Sequence, residues 1–403
     1  MAFALGILVF ALGIAASIAL HEAGHMFTAR AFGMRVRRYF IGFGPPLWQT
    51  TRGHTTYGVA ALPFGGFCDI AGLTSQDLLT DEEKPLAMYL KPWWQRVAVM
   101  SGGIAMNVLL GLVITYLVAV FAAIPNPYAD RTPTVGAVSC TADQTGPDTL
   151  ADCTGPGPAG EAGVRPGDKV LAVDGVQIAT FDELRSHVLV RPAETVTLTV
   201  ERGGAERDIP IVVDEVVRMN AQTGESFRAG AIGVASRPVE NPTASFGPVE
   251  AVPATFSLTG QMLQGTVEGL IAFPSKIPGV VASIFGAERD VAGPVSVIGA
   301  SRAGGELVER DMWAVFWMLL ASLNFFLALF NIVPLPPLDG GHIAVIFFET
   351  FRDAVRRLRG LPPGGPVNYD RLMPVTYAIA AALLVVGVFV MVADVVNPVR
   401  IFG

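Results

Sequence analysis

The chain has 403 residues, of which 51% are hydrophobic and only 16% are charged. Soluble domains usually carry about 25% charged residues, so this composition predicts a membrane protein with a soluble part attached. The net charge of -7 excludes a nucleic-acid-binding protein, because the chain has no basic stripe that would neutralise phosphates.

Four apolar runs are long enough to cross a bilayer core, which takes roughly 20 helical residues. They predict transmembrane helices over residues 1–33, 97–124, 312–350 and 372–396. The first run could be a signal peptide instead, but no basic residue precedes it and it has no clear small-residue cleavage site. We therefore predict a multi-pass α-helical membrane protein with about four spans.

Lysine and arginine are concentrated in two of the loops between these runs, residues 34–96 and 351–371, and the N-terminal flank has none. Cytoplasmic loops of membrane proteins carry such an excess of basic residues. We expect these two loops to be cytoplasmic, with both termini and the long segment between the second and third spans outside the plasma membrane.

The first predicted span contains an H-E-x-x-H motif at His21, Glu22 and His25. Residues i and i+4 of a helix share one face, so both imidazoles can reach one metal ion. Imidazole suits zinc, and the intervening glutamate can take a proton from zinc-bound water. Ionisable residues inside a span are functional candidates. The motif predicts one zinc ion as cofactor.

The loop 34–96 contains the stretch "TTYGVAALPFGGFCDIAG", from Thr55 to Gly72, which predicts two short strands around a Pro/Gly turn. The preceding "IGFGPPLW" is a further glycine-broken apolar segment. Segments this apolar beside a membrane predict a β-hairpin that dips into its surface, where irregular backbone needs cover from protein or a wet cavity. An ordinary cytosolic hairpin is the alternative.

The segment 134–214 predicts a soluble α+β domain outside the membrane. Its stretch "AGVRPGDKVLAVDG" gives a Pro/Gly turn and an alternating strand, a helix begins at Phe181, and a hairpin turns at Gly203 and Gly204. This order resembles a bacterial PDZ domain of the circularly permuted kind. PDZ domains offer an edge strand to which a peptide can add. The domain could instead filter access or only separate the spans.

The three cysteines divide between the two sides of the membrane in this topology. Cys140 and Cys153 lie close together in the outer, oxidising compartment, so they are candidates for a disulfide. Cys68 lies on the cytoplasmic side and is expected to remain a thiol.

The segment 244–310 has apolar pieces interrupted by prolines, among them Pro274 and Pro278. These pieces are too broken to span a bilayer comfortably. We predict amphipathic segments that lie in the outer membrane interface.

Catalytic zinc needs a third protein ligand and an open position for water. The third apolar run is broken at "NIVPLPPLDGGH", where the prolines end the helix and the glycines allow close backbone approach. Asp339 follows this break on the same side of the membrane as the two histidines, so it is the predicted third ligand. His342 is the rival ligand, and a structural role outside the ligand set is expected for it.

Asn331-Ile-Val-Pro334 followed by Leu338-Asp339-Gly340, together with the H-E-x-x-H motif, resembles the site-2 proteases over nearly the whole chain. These are intramembrane zinc metalloproteases that cleave transmembrane substrates. A single outer PDZ domain and "PFGGFCDIAG" look most like the actinobacterial regulated intramembrane proteases. The resemblance implies His21, His25 and Asp339 as zinc ligands and Glu22 as general base.

The resemblance also implies how substrate is held. It suggests that Asn331 helps to bind substrate, and that the hairpin offers an edge to an extended substrate. The hairpin residues concerned are Tyr57, Val59, Ala61, Phe64, Gly65 and Gly66. The implied substrates are single-span membrane proteins in the lipid bilayer, such as anti-sigma factors already cut outside.

Two other classes of protein compete with this interpretation. A soluble-type zinc protease anchored by helices would carry the motif on a polar amphipathic helix, with a third ligand nearby. A membrane scaffold or zinc carrier would carry acidic or histidine residues in several spans. The sequence has neither pattern, and protease activity toward a membrane-spanning reporter would separate the three.

Overall fold

A computed structural model describes residues 1–146, 149–219, 226–287, 289–290 and 293–399 of the protein. The chain folds into two compact units. The first, which we call the membrane unit, comprises Met1–Pro125 and Ala244–Gly403. The second, the inserted unit, comprises Asn126–Thr243.

The first part of the membrane unit is a helix, a β-sheet and a second helix. Its elements are α1 (Ala2–Ala31), β1 (Val36–Arg52), β2 (Thr55–Ile70), α2 (Trp93–Phe121) and β3 (Ile124–Pro125), with short 3-10 helices at Lys84–Leu86 and Met88–Leu90. α1 and α2 approach closely at two glycines, where a Cβ on Gly24 would lie 2.2 Å from the carbonyl oxygen of Gly102. Small residues at such contacts let helices pack in a membrane.

The predicted hairpin is larger than the sequence indicated. β1 and β2 each bend back, so that residues 36–41 pair with 66–70 on one side and with 56–59 on the other, and residues 55–60 pair in turn with 46–52. The result is a sheet with four strand segments, in the order 46–52, 55–60, 36–41, 66–70. The two short strands predicted within 55–72 are present as the segments 55–60 and 66–70, on either side of the Pro/Gly bend. They pair with 36–41 rather than with each other, and "IGFGPPLW" is itself part of β1 and contributes to an outer strand segment.

The inserted unit is an α+β fold around one small core. Its elements are β4 (Val135–Val138), β5 (Gln144–Gly146), β6 (Thr149–Leu150), α3 (Gly157–Glu161), β7 (Lys169–Val173), β8 (Val176–Gln177), α4 (Phe181–Leu189), β9 (Thr195–Arg202), β10 (Ala205–Val212), β11 (Asp214–Met219), β12 (Ser226–Ala231) and β13 (Val234–Ser236), followed by β14 (Thr243–Ala244). Four antiparallel strands form a sheet in the order β10, β9, β7, β8. Leu184 of α4, Leu198 of β9 and Ile211 of β10 are buried in the core.

Local signals in the inserted unit fold as the sequence predicts. Thr180 caps α4 by accepting a hydrogen bond from the Glu183 N–H, while Glu183 accepts one from the Ala179 N–H. This pairing resembles a capping box, with the return bond one residue before the cap, and it satisfies free backbone donors where the helix starts. The β9–β10 hairpin turns at Gly203 and Gly204, both with positive φ, as a tight two-residue turn requires. The sulfur atoms of Cys140 and Cys153 are bonded, and Cys68 is a free thiol.

The second part of the membrane unit contains five helices. They are α5 (Ala251–Ile284), α6 (Val297–Glu309), α7 (Trp313–Ile332), α8 (Asp339–Leu358) and α9 (Met373–Val396), with a short 3-10 helix at Tyr369–Arg371. By length and composition, five helices of the described chain are able to cross a membrane: α1, α2, α5, α7 and α9. Buried Phe10, Phe316 and Leu320 join α1 and α7 in one apolar cluster.

α5 departs from the predicted string of broken interfacial pieces, because it is one continuous helix of 34 residues that contains Pro274 and Pro278. That part of the prediction was wrong. The two prolines are four residues apart and therefore lie on one face, so their missing donors are confined to that face and the helix continues through them.

Both ends of α5 contact the same end of the helix bundle. Near its start, Ala254 packs with Val118 at the C-terminal end of α2. Near its end, Val280 packs with Val390 at the C-terminal end of α9, where Asn397 donates a hydrogen bond to the Ser283 carbonyl.

The third predicted span, 312–350, is two helices rather than one. α7 ends at Ile332 and α8 begins at Asp339, with Pro334, Pro336 and Pro337 between them. Prolines remove backbone donors and clash with the preceding turn, so the break follows directly from the sequence. α7 is apolar on all sides, whereas α8 is amphipathic and is not among the helices able to span.

Candidate metal centre

His21 and His25 lie one turn apart near the C-terminal end of α1, on the face that packs against α2 and α8. The turn before them on that face holds buried Ser17, which accepts a hydrogen bond from Asn324 of α7. Gly103 of α2 makes room for both rings, since a Cβ there would lie 2.4 Å from His25 Nε2 and 2.7 Å from His21 Nε2. Only glycine at position 103 leaves the two imidazoles side by side.

Asp339 reaches the two histidines from the first residue of α8. The chain has to fold tightly between α7 and α8 to bring it there: a Cβ on Gly340 would lie 2.2 Å from the carbonyl oxygen of Ile332, and one on Gly341 would lie 2.7 Å from the nitrogen of Pro336. Glycine is therefore required at both positions. The "LDGG" stretch fixes the position of a carboxylate that lies far from both histidines in the sequence but close to both in space.

Along the chain, Asp339 follows His21 by 318 positions and His25 by 314 positions, so only the folded helices bring the three side chains together.

The three candidate ligand atoms form a nearly equilateral triangle. Asp339 Oδ2 lies 3.2 Å from His21 Nε2 and 3.3 Å from His25 Nε2, and the two Nε2 atoms lie 3.3 Å apart. A tetrahedral zinc ion about 2.0–2.1 Å from each ligand would hold them about 3.3–3.4 Å apart. Asp339 Oδ2 is also buried without a hydrogen-bond partner in the described chain, as an atom reserved for a metal would be. The residues present therefore fit zinc.

Each imidazole is oriented through its other nitrogen atom. His25 Nδ1 lies 2.8 Å from the carbonyl oxygen of Val99, so it carries the proton and donates, which leaves Nε2 free to bind a metal. His21 Nδ1 lies 3.1 Å from the side-chain amide of Asn107, whose Oδ1 is otherwise buried without a partner. If the Asn107 amide is turned over, Oδ1 accepts a hydrogen bond from His21 Nδ1–H. Oδ1 then has a partner and His21 Nε2 is left unprotonated, and this orientation is preferred because amide orientation follows from the hydrogen-bond network.

Glu22 lies beside these ligands and faces the sheet. It is half-buried, and its Cγ would lie 3.1 Å from a Cβ placed on Gly66. Glycine at position 66 therefore lets the sheet approach the carboxylate. Nearby, burial raises the pKa of the Cys68 thiol above its usual range, so this cysteine stays neutral next to the site. The arrangement gives a carboxylate next to a metal-binding triangle, as the H-E-x-x-H motif predicts.

The six predicted hairpin residues occupy different places in the sheet. Tyr57 and Val59 lie in the segment 55–60, which has strand partners on both sides, so their backbone offers no free edge. The Tyr57 hydroxyl accepts a hydrogen bond from Arg30 of α1 and so anchors the sheet. Ala61 is exposed near the bend of β2, and the side chain of Phe64 lies outside the described residues.

Gly65 and Gly66 lead into the outer segment 66–70. One side of this segment pairs with residues 36–41, and no strand of the described chain pairs with its other side. It runs beside Glu22, as the contact at Gly66 shows. The available edge is therefore at 66–70 rather than at Tyr57 and Val59.

Asn331 and His342 lie on either side of the α7–α8 break. Asn331 is half-buried in the last turn of α7. His342 lies one turn after Asp339, where its Nδ1 is 3.3 Å from the Tyr369 hydroxyl and its ring stacks on the Tyr369 ring. It is not among the three residues whose ligand atoms converge.

Asn107 and Gly103 are site residues that the sequence reasoning missed. An asparagine in the middle of an apolar span was the available signal, because a polar group in hydrocarbon is costly and marks a candidate partner. No comparable signal exists for Gly103 or for the Val99 carbonyl, since glycines and valines are common in apolar helices.

Comparison with known proteins places the chain in a family. The model of peptidase family M50 matches residues 9–360. The chain is 44% identical to zinc metalloprotease Rip1 of Mycolicibacterium smegmatis and 43% identical to zinc metalloprotease Rip1 of Mycobacterium tuberculosis, with all of each chain covered. It is 29% identical to a putative zinc metalloprotease of Rhizobium meliloti, over 91% of this chain and 90% of that one.

Proposed function

The chain belongs to peptidase family M50, the site-2 proteases, and from this premise we propose that His21, His25 and Asp339 are its zinc ligands and Glu22 its general base. The protein is a zinc metalloprotease of the kind that performs regulated intramembrane proteolysis. The observation that carries the residue assignment is the triangle of ligand atoms, with sides of 3.2–3.3 Å.

The chemistry divides between the metal and the chain's own residues. Zinc, when bound, polarises the scissile carbonyl and lowers the pKa of water. The Glu22 carboxylate accepts a proton from the attacking water and can return it to the leaving amine. Val99 and Asn107 hold the two imidazoles in the tautomer that leaves each Nε2 unprotonated.

We propose that the substrate is held extended along the edge 66–70. A helix shields its own carbonyls, so a transmembrane substrate has to unwind before it can be cut. Backbone pairing with a free edge holds a peptide extended, and the contact between Gly66 and Glu22 brings that edge to the base. Asn331, in the last turn of α7, is proposed to bind substrate backbone, and the sheet is proposed to contact the membrane surface through exposed Leu47 and Trp48.

The proposed topology retains four spans, with α5 lying along the outer surface. Although α5 is long enough to cross, both of its ends contact the end of the bundle formed by the C-termini of α2 and α9. A helix that crossed once would contact opposite ends. With α1, α2, α7 and α9 as spans, the basic loops 34–96 and 351–371 are cytoplasmic, and both termini and the inserted unit lie outside the plasma membrane.

We propose that the inserted unit is a PDZ domain and that the substrates are single-span membrane proteins such as anti-sigma factors. Support for the domain comes from the four-stranded sheet with α4, in the element order of the circularly permuted kind. The substrate class rests on the family alone.

Substitution of a proposed ligand tests the assignment of the zinc ligands. Asp339→Ala should lower zinc content and abolish cleavage of a membrane-spanning reporter, because two histidines leave the metal one protein ligand short. His342→Ala is the matched control, one turn along α8, and should retain both zinc and measurable cleavage. Zinc content and cleavage are measured on the same preparation, with and without a chelator. Full zinc occupancy in Asp339→Ala would refute the ligand role.

A further inference from the structure

α8 has an inner face that is fixed to the rest of the membrane unit. Ile346 is buried there, and the Glu349 carboxylate accepts a hydrogen bond from Arg96 of α2 at 2.7 Å and one from the Val367 N–H at 2.6 Å. Both Arg96 and Glu349 are more than nine-tenths buried. A buried ion pair of this kind holds α8 in one rotation about its axis.

The opposite face of α8 is apolar and largely uncovered by the described part of the chain. Phe347, Phe348, Phe351 and Leu358 are 49%, 57%, 70% and 89% exposed. At about 100° per residue they fall within an arc of about 100°, nearly opposite Ile346 and Glu349. We call these four residues the outer stripe of α8.

The outer stripe lies at the level where α2 begins. Trp93, the first residue of α2, packs on Phe347 with ring centroids 6.1 Å apart, and Trp94 beside it is half exposed. Tryptophan is enriched where a membrane span meets the headgroups. The stripe is therefore at the edge of the membrane, where an amphipathic helix can bury its apolar face.

Two exposed arginines lie at the C-terminal end of the stripe. Arg352 and Arg356 donate hydrogen bonds to the carbonyl oxygens of Gly365 and Pro362 in the following loop. Arg357 and Arg359 are exposed and have no carboxylate partner in the described chain. They stand directly before and after Leu358 in the sequence, and Arg359 is the first residue past the helix. An apolar face with two exposed cations at its end is complementary to a layer of acyl chains and anionic headgroups.

We propose that α8 binds anionic phospholipid through the outer stripe, Arg357 and Arg359, and that this contact helps to hold Asp339 in place. Asp339 is the first residue of the same helix, and Gly340 and Gly341 are packed without free space against the end of α7. A tilt of α8 therefore displaces the carboxylate that completes the ligand triangle. The inference goes beyond the proposed function, since it assigns a lipid class to a surface away from the chemistry.

Hydrogen exchange of the full-length protein in nanodiscs tests the lipid contact without any measurement of cleavage. Amides of Phe351–Arg359 should exchange more slowly in discs that contain phosphatidylglycerol than in discs of phosphatidylcholine alone. Two arginines near an anionic surface correspond to binding about 30-fold stronger than to a neutral surface. This factor is the upper limit of the expected difference in exchange rate between the two kinds of disc. The double variant Arg357→Gln, Arg359→Gln should exchange at the same rate in both kinds of disc.

The matched control removes two other exposed cations, in Arg52→Gln, Arg371→Gln, and should keep the lipid effect. Equal exchange of the unaltered protein in both discs would overturn the proposal, as would loss of the effect in the control. Inorganic phosphate added to phosphatidylcholine discs should change nothing, and equal protection by phosphate would show an anion site instead of a lipid surface. As a second measurement, zinc retention during dialysis should be greater in phosphatidylglycerol discs for the unaltered protein only.

Discussion

Individual residues of the metal centre are held by groups on three helices. His21 and His25 come from α1, Asp339 comes from α8, and their partners Asn107 and Val99 come from α2. Each proposed ligand therefore depends on contacts that the motif itself does not contain. Variants at Glu22 and Asn107 separate the residue proposed to act on water from a residue that orients a proposed ligand.

Glu22→Gln should abolish proteolysis while zinc remains bound. The amide keeps the size of the side chain but cannot accept a proton, and loss of a general base typically costs about 10²–10⁴-fold in rate. Zinc content and turnover of a membrane-spanning reporter are compared for the same sample. Turnover close to that of the unaltered protein would contradict the role of base.

Asn107→Leu should weaken zinc binding by about 10–100-fold, because His21 loses the partner that fixes its tautomer. Thr115→Val is the matched control, since Thr115 is a buried polar residue two turns along α2 whose hydroxyl bonds only within its own helix, to Gly111. Competition with a fluorescent chelator measures the affinity. Equal zinc affinity in the two variants would show that Asn107 does not orient His21.

Among the secondary-structure elements of the inserted unit, an ion pair between Asp168 and Arg202 joins the turn before β7 to the end of β9. Asp168 is 1% exposed and accepts hydrogen bonds from Arg202 and from the Arg165 N–H. Burial alone would raise the pKa of this carboxyl, but the hydrogen bonds from Arg202 and Arg165 hold its pKa below the ordinary value. Folding therefore favours the ionised form of Asp168.

Asp168→Ala should destabilise the inserted unit by about 2 kcal/mol, the scale of a hydrogen bond to a charged group, because Arg202 and the Arg165 N–H lose their carboxylate acceptor. The pH dependence follows from the lowered pKa. The contribution of Asp168 is present above its unfolded pKa of about 3.9 and is lost as the pH falls through the lower folded value. Hydrogen exchange of β7 and β9 in the full chain measures both effects. Unchanged protection in the variant at pH 7 would contradict the prediction.

At the scale of the whole molecule, the metal centre is contained in the membrane unit. Every ligand and every partner described above lies within Met1–Pro125 or Ala244–Gly403. The chemistry therefore does not need a side chain from the inserted unit, whose proposed role is to restrain access.

Replacing Asn126–Thr243 by a short flexible linker should leave cleavage of a substrate with a short outer domain intact, or increase it. The comparison is made with the unaltered protein in the same membrane, after zinc content has shown that both are folded. A stably inserted, zinc-loaded deletion without any activity would show that the inserted unit takes part in cleavage itself.

Local chemistry explains what could be predicted from the sequence by itself. The H-E-x-x-H motif places two imidazoles on one helix face at a fixed spacing, and the proline–glycine break determines where α7 ends and Asp339 stands. The zinc protease family followed from these two motifs, and it is confirmed by the M50 match. The capped start of α4 and the Gly203–Gly204 hairpin were predictable for the same reason, since caps and tight turns depend on a few neighbouring residues.

Contacts between distant parts of the chain decided the features that could not be predicted from the sequence. Residues 36–41 lie at the centre of a four-segment sheet because 55–60 and 66–70 pair on both sides of them, and alternating apolar residues do not specify how many partners a strand has. The continuity of α5 depends on packing that compensates for two prolines. Asn107 became a partner of His21 only because close glycine contacts bring α1 and α2 together. Motifs in the sequence were enough to predict the family and to nominate His21, His25 and Asp339 as ligands. Only the folded chain shows the neighbours that orient these side chains, because spacing along one helix cannot encode what a second helix brings.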